Sequence, residues 1–413
     1  MSRRVVITGL GAVSPCGLDV ESSWRSVTEG HSGISTITRF DASDFPSKIA
    51  GECKGFSAEL FVRKRDLRSM DRFIHLALGA AAQVMSATGL AEDAPIKERT
   101  GTFIGIGIGG LSYIENMAKV LAAQGPTRLS PYFIPATISN LAPGQVSMKY
   151  GLKGVSYSHT SACASGAHAI GEAFRAIARG DLDACVAGGA EAAITPLGVG
   201  GFAALRALSK RNEDPTRASR PWDVDRDGFV IAEGAGLLFL EEREHARMRG
   251  APVLAEMVGY GASADAYHLT QPAPGGEGAQ RAMQLALKDA GINPTQIDYV
   301  NAHGTSTPSG DAIELRAIRA VFGEYATSGL WISSTKSVTG HLLGASGGLE
   351  AALSVVALRD GLVPPTVNLD QVEPEFGSFD LVAHTARSRA LKYVLSNSFG
   401  FGGTNASLIF AQA

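Results

Sequence analysis

Four side chains carry the clearest chemical capacity in the sequence: Cys163, His303, Lys336 and His341. Cys163 lies in Ser161-Ala162-Cys163-Ala164-Ser165-Gly166-Ala167-His168. Apolar positions 167, 170, 174 and 177 follow at helical spacing, and Gly180 closes the run. A thiol at the start of a helix feels the partial positive charge of unpaired backbone amides, worth up to about 2 kcal/mol in a partly buried site. The expectation is a thiol pKa lowered by roughly one unit or more, which is how a nucleophile is made. A lone cysteine among alanines is more often a small packing residue, so the assignment needs partners.

Two histidines supply them. Asn301-Ala302-His303-Gly304-Thr305-Ser306-Thr307-Pro308 follows an apolar strand pattern and sets His303 in a strand-end loop with three hydroxyl residues behind it. Ser333-Ser334-Thr335-Lys336-Ser337-Val338-Thr339-Gly340-His341 follows another and runs into an apolar helix. Two such histidines with a helix-start cysteine form a constellation suited to thioester chemistry. The other histidines lack that setting, although His268 stands in a loop that can line an entrance. Asn397-Ser398-Phe399-Gly400-Phe401-Gly402-Gly403-Thr404-Asn405 offers backbone amides free to face a developing oxyanion; one such donor is worth about 2.7 to 4 kcal/mol. Gly105-Ile106-Gly107-Ile108-Gly109-Gly110 matches a dinucleotide fingerprint literally, but no acidic residue stands where a ribose would need one, and a nucleotide site is set aside.

Elements must hold these groups. Short apolar runs at 5–8, 102–106, 183–187, 237–240, 254–258, 299–301, 331–333, 393–396 and 407–410 read as strands alternating with helices, hence an α/β fold with sheets covered on both faces. Two segments echo one another. Ala164-Ser165-Gly166 leads into a helix ending Arg179-Gly180-Asp181, and Ala345-Ser346-Gly347 into one ending Arg359-Asp360-Gly361, which points to duplication. The second helix, Leu349 to Leu358, is apolar nearly all round, so its Glu350 needs a cation from elsewhere, and Lys336, close in sequence to that helix, is the one expected. A boundary near Arg249-Gly250-Ala251-Pro252, after a charged helix over 241–249, divides the chain into 1–250 and 251–413.

With 413 residues, 45% of them hydrophobic, the chain can bury a large core. A net charge of -3 gives no global attraction for nucleic acid, and no apolar stretch is long enough for a membrane span. Four cysteines, at 16, 53, 163 and 185, show no metal-ligand or disulfide spacing. With Met1–Gly9 running straight into a strand, the expected location is the cytoplasm.

The set Cys163, His303, Lys336, His341 and Gly400-Phe401-Gly402-Gly403 closely resembles the β-ketoacyl-acyl carrier protein synthases, and among them the type II, long-chain elongating enzymes. The likeness extends from Val5-Val6-Ile7-Thr8-Gly9-Leu10-Gly11 to Asn405 and includes Val186-Ala187-Gly188-Gly189-Ala190-Glu191 and Arg220-Pro221-Trp222-Asp223. His341-Leu342-Leu343 is similar to type II, where type I members tend to carry Ser after the histidine. Ala164 departs from the Thr or Ser common after the cysteine, which touches the fine shape of the pocket.

The resemblance implies the thiolase fold, two duplicated α/β halves in a five-layer αβαβα arrangement, forming a homodimer in which the first half carries the cysteine and the second the histidines. It implies that Cys163 takes an acyl group from acyl-acyl carrier protein (ACP), with the amides of Cys163 and Phe401 as oxyanion hole. His303 and His341 then hold the malonyl-ACP thioester oxygen as carbon dioxide leaves, and the carbanion attacks the acyl-cysteine to give a 3-oxoacyl-ACP two carbons longer. No organic cofactor is implied. Further implied positions are Thr305 and Thr307 on the phosphopantetheine arm, Phe401 as a gate with Gly402 beside it, and Ile108, Phe202 and Phe133 of the partner subunit along the acyl pocket. A monovalent cation is implied at Asn301, Glu350, Ser396 and Asn405. Basic residues 63, 64, 65, 68 and 72, with 206, 210 and 211, offer a docking surface for an acidic carrier protein, Arg68 and Arg206 above all. Rivals are a thiolase, which needs a second cysteine in a half that here has none after 185; a chain-length factor, which lacks the active cysteine; and a polyketide ketosynthase with overlapping motifs.

Overall fold

The computed structural model describes residues 3–413. Ten strands form one sheet system: β1 Val5–Val13, β2 Thr100–Gly105, β3 Ser156–His159, β4 Ala184–Glu191, β5 Gly234–Glu242, β6 Ala255–Ala264, β7 Tyr299–Asn301, β8 Trp331–Ser333, β9 Tyr393–Gly400 and β10 Thr404–Ala411. Their order, β8-β7-β9-β10-β6-β1-β5-β4-β2-β3, reads outward from the centre as the same sequence of five strands twice. Pairing repeats with it. β2 runs parallel to β3 and β4, as β7 does to β8 and β9, and the remaining neighbours are antiparallel. Strand pairing joins the two five-stranded units through Val5–Ile7 and Ala255–Met257.

Helices complete five layers. α1 (Arg72–Thr88) and α2 (Leu141–Tyr150) cover the outside of the first unit; α4 (Glu277–Ala290) and α5 (Pro308–Phe322) cover the second. Between the units lie α3 (Ser165–Arg179) and α6 (Ser346–Asp360), packed on each other and on strands of both. This is the αβαβα thiolase fold. A layer enclosed on both faces must be apolar all round, and every residue of α6 from Ser346 to Leu358 is buried. Its larger aliphatic side chains contribute about 1.5 to 3 kcal/mol each. Both central helices end on a left-handed glycine, Gly180 (φ 87°) and Gly361 (φ 58°), where the sequence placed the stops.

All nine strands expected from apolar runs are present, most of them longer because flanking Gly and Ser continue the pairing. The tenth, β3, is an edge strand of sequence Ser-Tyr-Ser-His with its first two residues exposed, so it carries no apolar signal. The charged helix expected over 241–249 is shorter, Arg243–Met248. Glu241 instead lies buried in β5, where Arg249 (2.7 Å), His245 (2.6 Å) and Thr8 (2.9 Å) bond its carboxylate.

Candidate active site

Duplication builds two matching elbows. In the first unit a 3-10 turn, Ala162–Ala164, leads into α3; in the second, Leu343–Ala345 leads into α6. Ala162 (φ 49°) and Leu343 (φ 51°) both adopt the left-handed region, a strain of about 1 to 2 kcal/mol for a residue with a Cβ. A helix-start serine ties each turn: Ser165 Oγ accepts from Ser161 N, and Ser346 Oγ from Leu342 N, both at 2.9 Å. Cys163 occupies the middle of the first elbow, and Gly344 the same place in the second.

A cavity of about 400 Å³ opens at the first elbow, and Cys163, His303, His341, Thr305, Thr307 and Phe401 all line it. The two imidazoles stand nearly perpendicular with centroids 5.3 Å apart. Burial, reinforced by the Lys336 charge, pushes both histidines well below the usual imidazole range, and His341 lowers His303 further. Both are therefore neutral. Ser346 Oγ, already accepting from Leu342 N–H, has its own proton free for His341 Nδ1 at 2.9 Å. That hydrogen bond leaves the proton of the neutral ring on Nε2, which makes it a donor toward the cavity.

Carboxylates hold the histidine loops from behind. Glu314 of α5 accepts from the backbone amides of His303 (2.8 Å) and Gly304 (2.7 Å), and Asp311 from those of Trp222 (2.9 Å), Ser306 (3.1 Å) and Thr307 (3.3 Å). Burial raises Glu314 to about 7 and Asp311 to about 6. The expected Lys336–Glu350 ion pair is present, with both side chains almost fully buried. Neither Ser346 nor the Glu314 and Asp311 clamps are legible in the sequence, because a carboxylate that bonds backbone amides leaves no pattern of partner side chains.

Cys163 departs from expectation. Its thiol is pushed up to about 12, because burial outweighs the opposing pull of the Lys336 charge and of the backbone amides of Phe401 and Cys163. The resting group is a thiol, and the helix start only partly offsets its desolvation. Those same two amides are the pair expected for the oxyanion hole. A Cβ on Gly400 would lie 2.7 Å from Ser161 O and 3.2 Å from Cys163 N, so only glycine leaves the Cys163 amide open.

The chain matches the family models for the N-terminal domain of β-ketoacyl synthase over residues 2–246 and its C-terminal domain over 254–370. The chain belongs to the β-ketoacyl synthase family. Among its relatives are proteins named 3-oxoacyl-[acyl-carrier-protein] synthase 2 from Vibrio cholerae, 51% identical with 99% of each chain covered, and from Coxiella burnetii, 50% identical with 99% of each covered. A β-ketoacyl synthase structure from Burkholderia phymatum superposes with a TM-score of 0.92 at 38% identity over 100% of both chains. A type II PKS acyl-carrier protein complex with its ketosynthase, bound to the hexaketide, gives 0.92 at 33% identity with the same coverage.

Other expected residues of this β-ketoacyl synthase fall in three groups. Phe202 and Arg206 border the cavity, Phe202 with its ring 6.5 Å from that of Phe401, and Thr305 Oγ1 lies 3.1 Å from Thr307 Oγ1. His268 and Gly402 act one step back. His268 Nδ1 accepts from Thr270 N (3.1 Å) and Gln271 N (3.2 Å), two residues that do line the cavity. Gly402 N donates to Leu269 O at 2.7 Å, a bond that joins the glycine-rich loop to the segment carrying His268. Ile108 and Phe133 stand apart from the cavity of the single chain: Ile108 is exposed, and Phe133 packs on Tyr113.

Two expectations are corrected. Residues directly paired across β9 and β10 share a face, so Asn405, opposite Phe399, lies with Asn397 on the α5 side, while Ser396 lies with Ser398 on the α6 side. Asn405 bonds Asp265 Oδ1 at 2.7 Å and cannot join Asn301, Ser396 and Glu350 in one cation site. Arg72 is no docking residue, because it pairs with buried Glu233 (2.7 Å). Arg63, Lys64, Arg65, Arg68, Arg206 and Lys210 are exposed, and Arg211 is half-buried. The dinucleotide-like loop is also explained: the amides of Gly107, Ile108 and Gly109 are all taken by the Glu191 carboxylate.

Proposed function

We infer that this β-ketoacyl synthase is a type II elongating enzyme, condensing malonyl-ACP with an acyl group carried on Cys163. The observation that carries the reading is the single cavity shared by Cys163, two neutral histidines and the glycine-rich loop.

Cys163 attacks the thioester of acyl-ACP. The amides of Cys163 and Phe401 hold the oxyanion, the acyl group passes to sulfur, and the thiol proton goes to the departing carrier thiolate. A resting thiol suits this exchange, since the proton it loses is the one the carrier needs. Malonyl-ACP then enters past Thr305 and Thr307, whose hydroxyls hold the phosphopantetheine arm. His303 and His341 donate to its thioester oxygen and stabilise the enolate left as the carboxylate departs as carbon dioxide. The enolate carbon attacks the acyl-cysteine, the C–S bond breaks, and the released thiolate takes up a proton. Products are 3-oxoacyl-ACP, carbon dioxide and free Cys163. Burial, reinforced by the Lys336 charge, keeps both imidazoles neutral, and Glu350 pairs with Lys336 behind them.

The remaining assignments follow from this reading. Residues 1–250 supply the cysteine half and 251–413 the histidine half. The partner is ACP, met through Arg68 and Arg206, and the enzyme is a homodimer in which Ile108, Phe202 and Phe133 of the partner subunit line the acyl pocket. No helix among the described residues is long and apolar enough to cross a membrane, and we place the enzyme in the cytoplasm. No organic cofactor takes part. Of the four positions expected for a monovalent cation, Asn301, Ser396 and Glu350 remain, supported by the buried, unpartnered Asn301 Oδ1 and Glu350 Oε2, and the ion enters no step.

A polyketide ketosynthase is the second reading, favoured by the 33% identical structural relative; the 48 to 51% identity to synthases named 3-oxoacyl-[acyl-carrier-protein] synthase 2 weighs against it. Product analysis with saturated acyl-ACPs and malonyl-ACP tests the choice. One two-carbon extension per substrate supports elongation, and repeated extension without reduction supports the alternative.

A further inference from the structure

Glu191 is a fully buried carboxylate that takes no step in the chemistry above, although its charge adds to the burial that raises the Cys163 thiol. It ends β4, and Gly400 ends β9. These strands have eight residues each and the same place in the duplicated strand order, so Glu191 and Gly400 are structural counterparts. Cys163 and Gly344 are counterparts in the two elbows. On the catalytic side, the missing side chain of Gly400 leaves the Cys163 amide open. On the other side, Glu191 fills the equivalent space, and its Oε2 accepts from Gly344 N at 3.3 Å.

The same carboxylate gathers three more amides: Gly107 N at 2.8 Å, Ile108 N at 3.1 Å and Gly109 N at 3.2 Å. No cation among the described residues pairs with it. The packing is close, since a Cβ on Gly107 would sit 2.5 Å from Glu191 Oε2 and 3.5 Å from Ala162 O, and one on Gly344 would sit 2.3 Å from Gly107 N. The loop carrying Ile108 is thereby pinned against both elbows, one residue away from the nucleophile.

We propose that Glu191 is a positioning residue for acyl-chain acceptance: its carboxylate occupies the anion hole of the second elbow and fixes the Gly107–Gly109 loop, with Ile108, beside Cys163. The inference rests on the reading of Cys163 as acyl acceptor and Ile108 as pocket lining. Glu191→Gln keeps the size of the side chain but replaces one acceptor oxygen with an NH₂ that faces amide donors. A short acyl chain needs the pocket only next to the sulfur, whereas a long one needs its whole wall.

The experiment compares Cys163 acylation by hexanoyl-ACP and myristoyl-ACP, with folding followed by thermal melting. In Glu191→Gln the ratio of kcat/KM for the long over the short chain falls at least tenfold, while the short-chain value stays within about threefold of wild type. Tenfold is about 1.4 kcal/mol, the contact of roughly two methylenes. Equal losses at both lengths, or an unchanged ratio, would overturn the proposal. Glu191→Asp, which keeps the carboxyl group but withdraws it by one methylene, is the second variant if the first does not fold; its ratio falls at least threefold, and a folded Asp variant with the wild-type ratio refutes the role. Wild-type protein that takes neither chain overturns the condensing reading itself, and so is distinguishable from a wild type that acylates while the variant ratio stays unchanged.

Discussion

Ser346→Ala removes one oxygen atom at the point where the second elbow meets His341. That hydroxyl accepts from Leu342 N–H and bonds His341 Nδ1, both at 2.9 Å. Its loss leaves a buried amide without a partner, which costs about 1 to 3 kcal/mol of stability. It also removes the bond that selects the Nε2–H tautomer. A hydrogen bond contributes about 1 ± 0.5 kcal/mol net, so the ratio of productive to unproductive tautomer falls by roughly a factor of 5. The assay is carbon dioxide release from malonyl-ACP, which depends on the histidines and not on acyl transfer. Duplication supplies the control. Ser165 makes the equivalent cap, accepting from Ser161 N at 2.9 Å, but bonds Ala162 O rather than a histidine. Ser165→Ala should lower stability comparably and leave decarboxylation at the wild-type rate, while Ser346→Ala slows it by up to about fivefold. Equal decarboxylation rates in two folded variants would refute the tautomer argument.

Cys163→Ala should abolish both the acyl adduct and condensation, read by mass spectrometry and product analysis, and should leave malonyl-ACP decarboxylation measurable. Glu350→Gln strands the buried Lys336 charge and should cost about 3 to 5 kcal/mol in denaturant unfolding; replacing both partners with apolar residues should cost less. Glu314 is raised from 4.5 to about 7 mainly by burial, so it binds its proton more tightly folded than unfolded, and its stabilising contribution is present below pH 4.5 and lost as pH rises through 7. Unfolding midpoints of wild type relative to Glu314→Gln should accordingly fall between about pH 4.5 and 7.5, and a difference independent of pH would contradict the shift. Arg206→Glu should raise KM for acyl-ACP severalfold with kcat little changed, and the effect should shrink at high salt, as expected for an exposed docking charge.

Much of this is legible in the sequence because burial on both faces leaves an unambiguous mark. Continuous apolar runs locate nine strands, and the charge-free surroundings of Glu350 in α6 require the Lys336 partner that the structure contains. The echo between 164–180 and 345–361 marks the duplication. Polar β3 escapes because an edge strand has no need of an apolar face. The thiol state of Cys163 is misread for a related reason: sequence shows the helix start that stabilises a thiolate but not the depth at which it sits, and here burial dominates. Asn405 falls wrongly into the cation set because the pleat parity of β10 becomes visible only once its register with β9 is known. Glu191 and Glu314 go unnoticed as clamps because backbone amides are present at every position and mark none.

Intact-protein mass spectrometry tests the central claim most directly. The enzyme is mixed with a C12 or C14 acyl-ACP, and malonyl-ACP is then added. The account predicts an acyl adduct mapping to Cys163 that disappears on the second addition as a 3-oxoacyl-ACP two carbons longer forms. An adduct on another residue, or a Cys163 adduct that persists while malonyl-ACP is consumed, would contradict it.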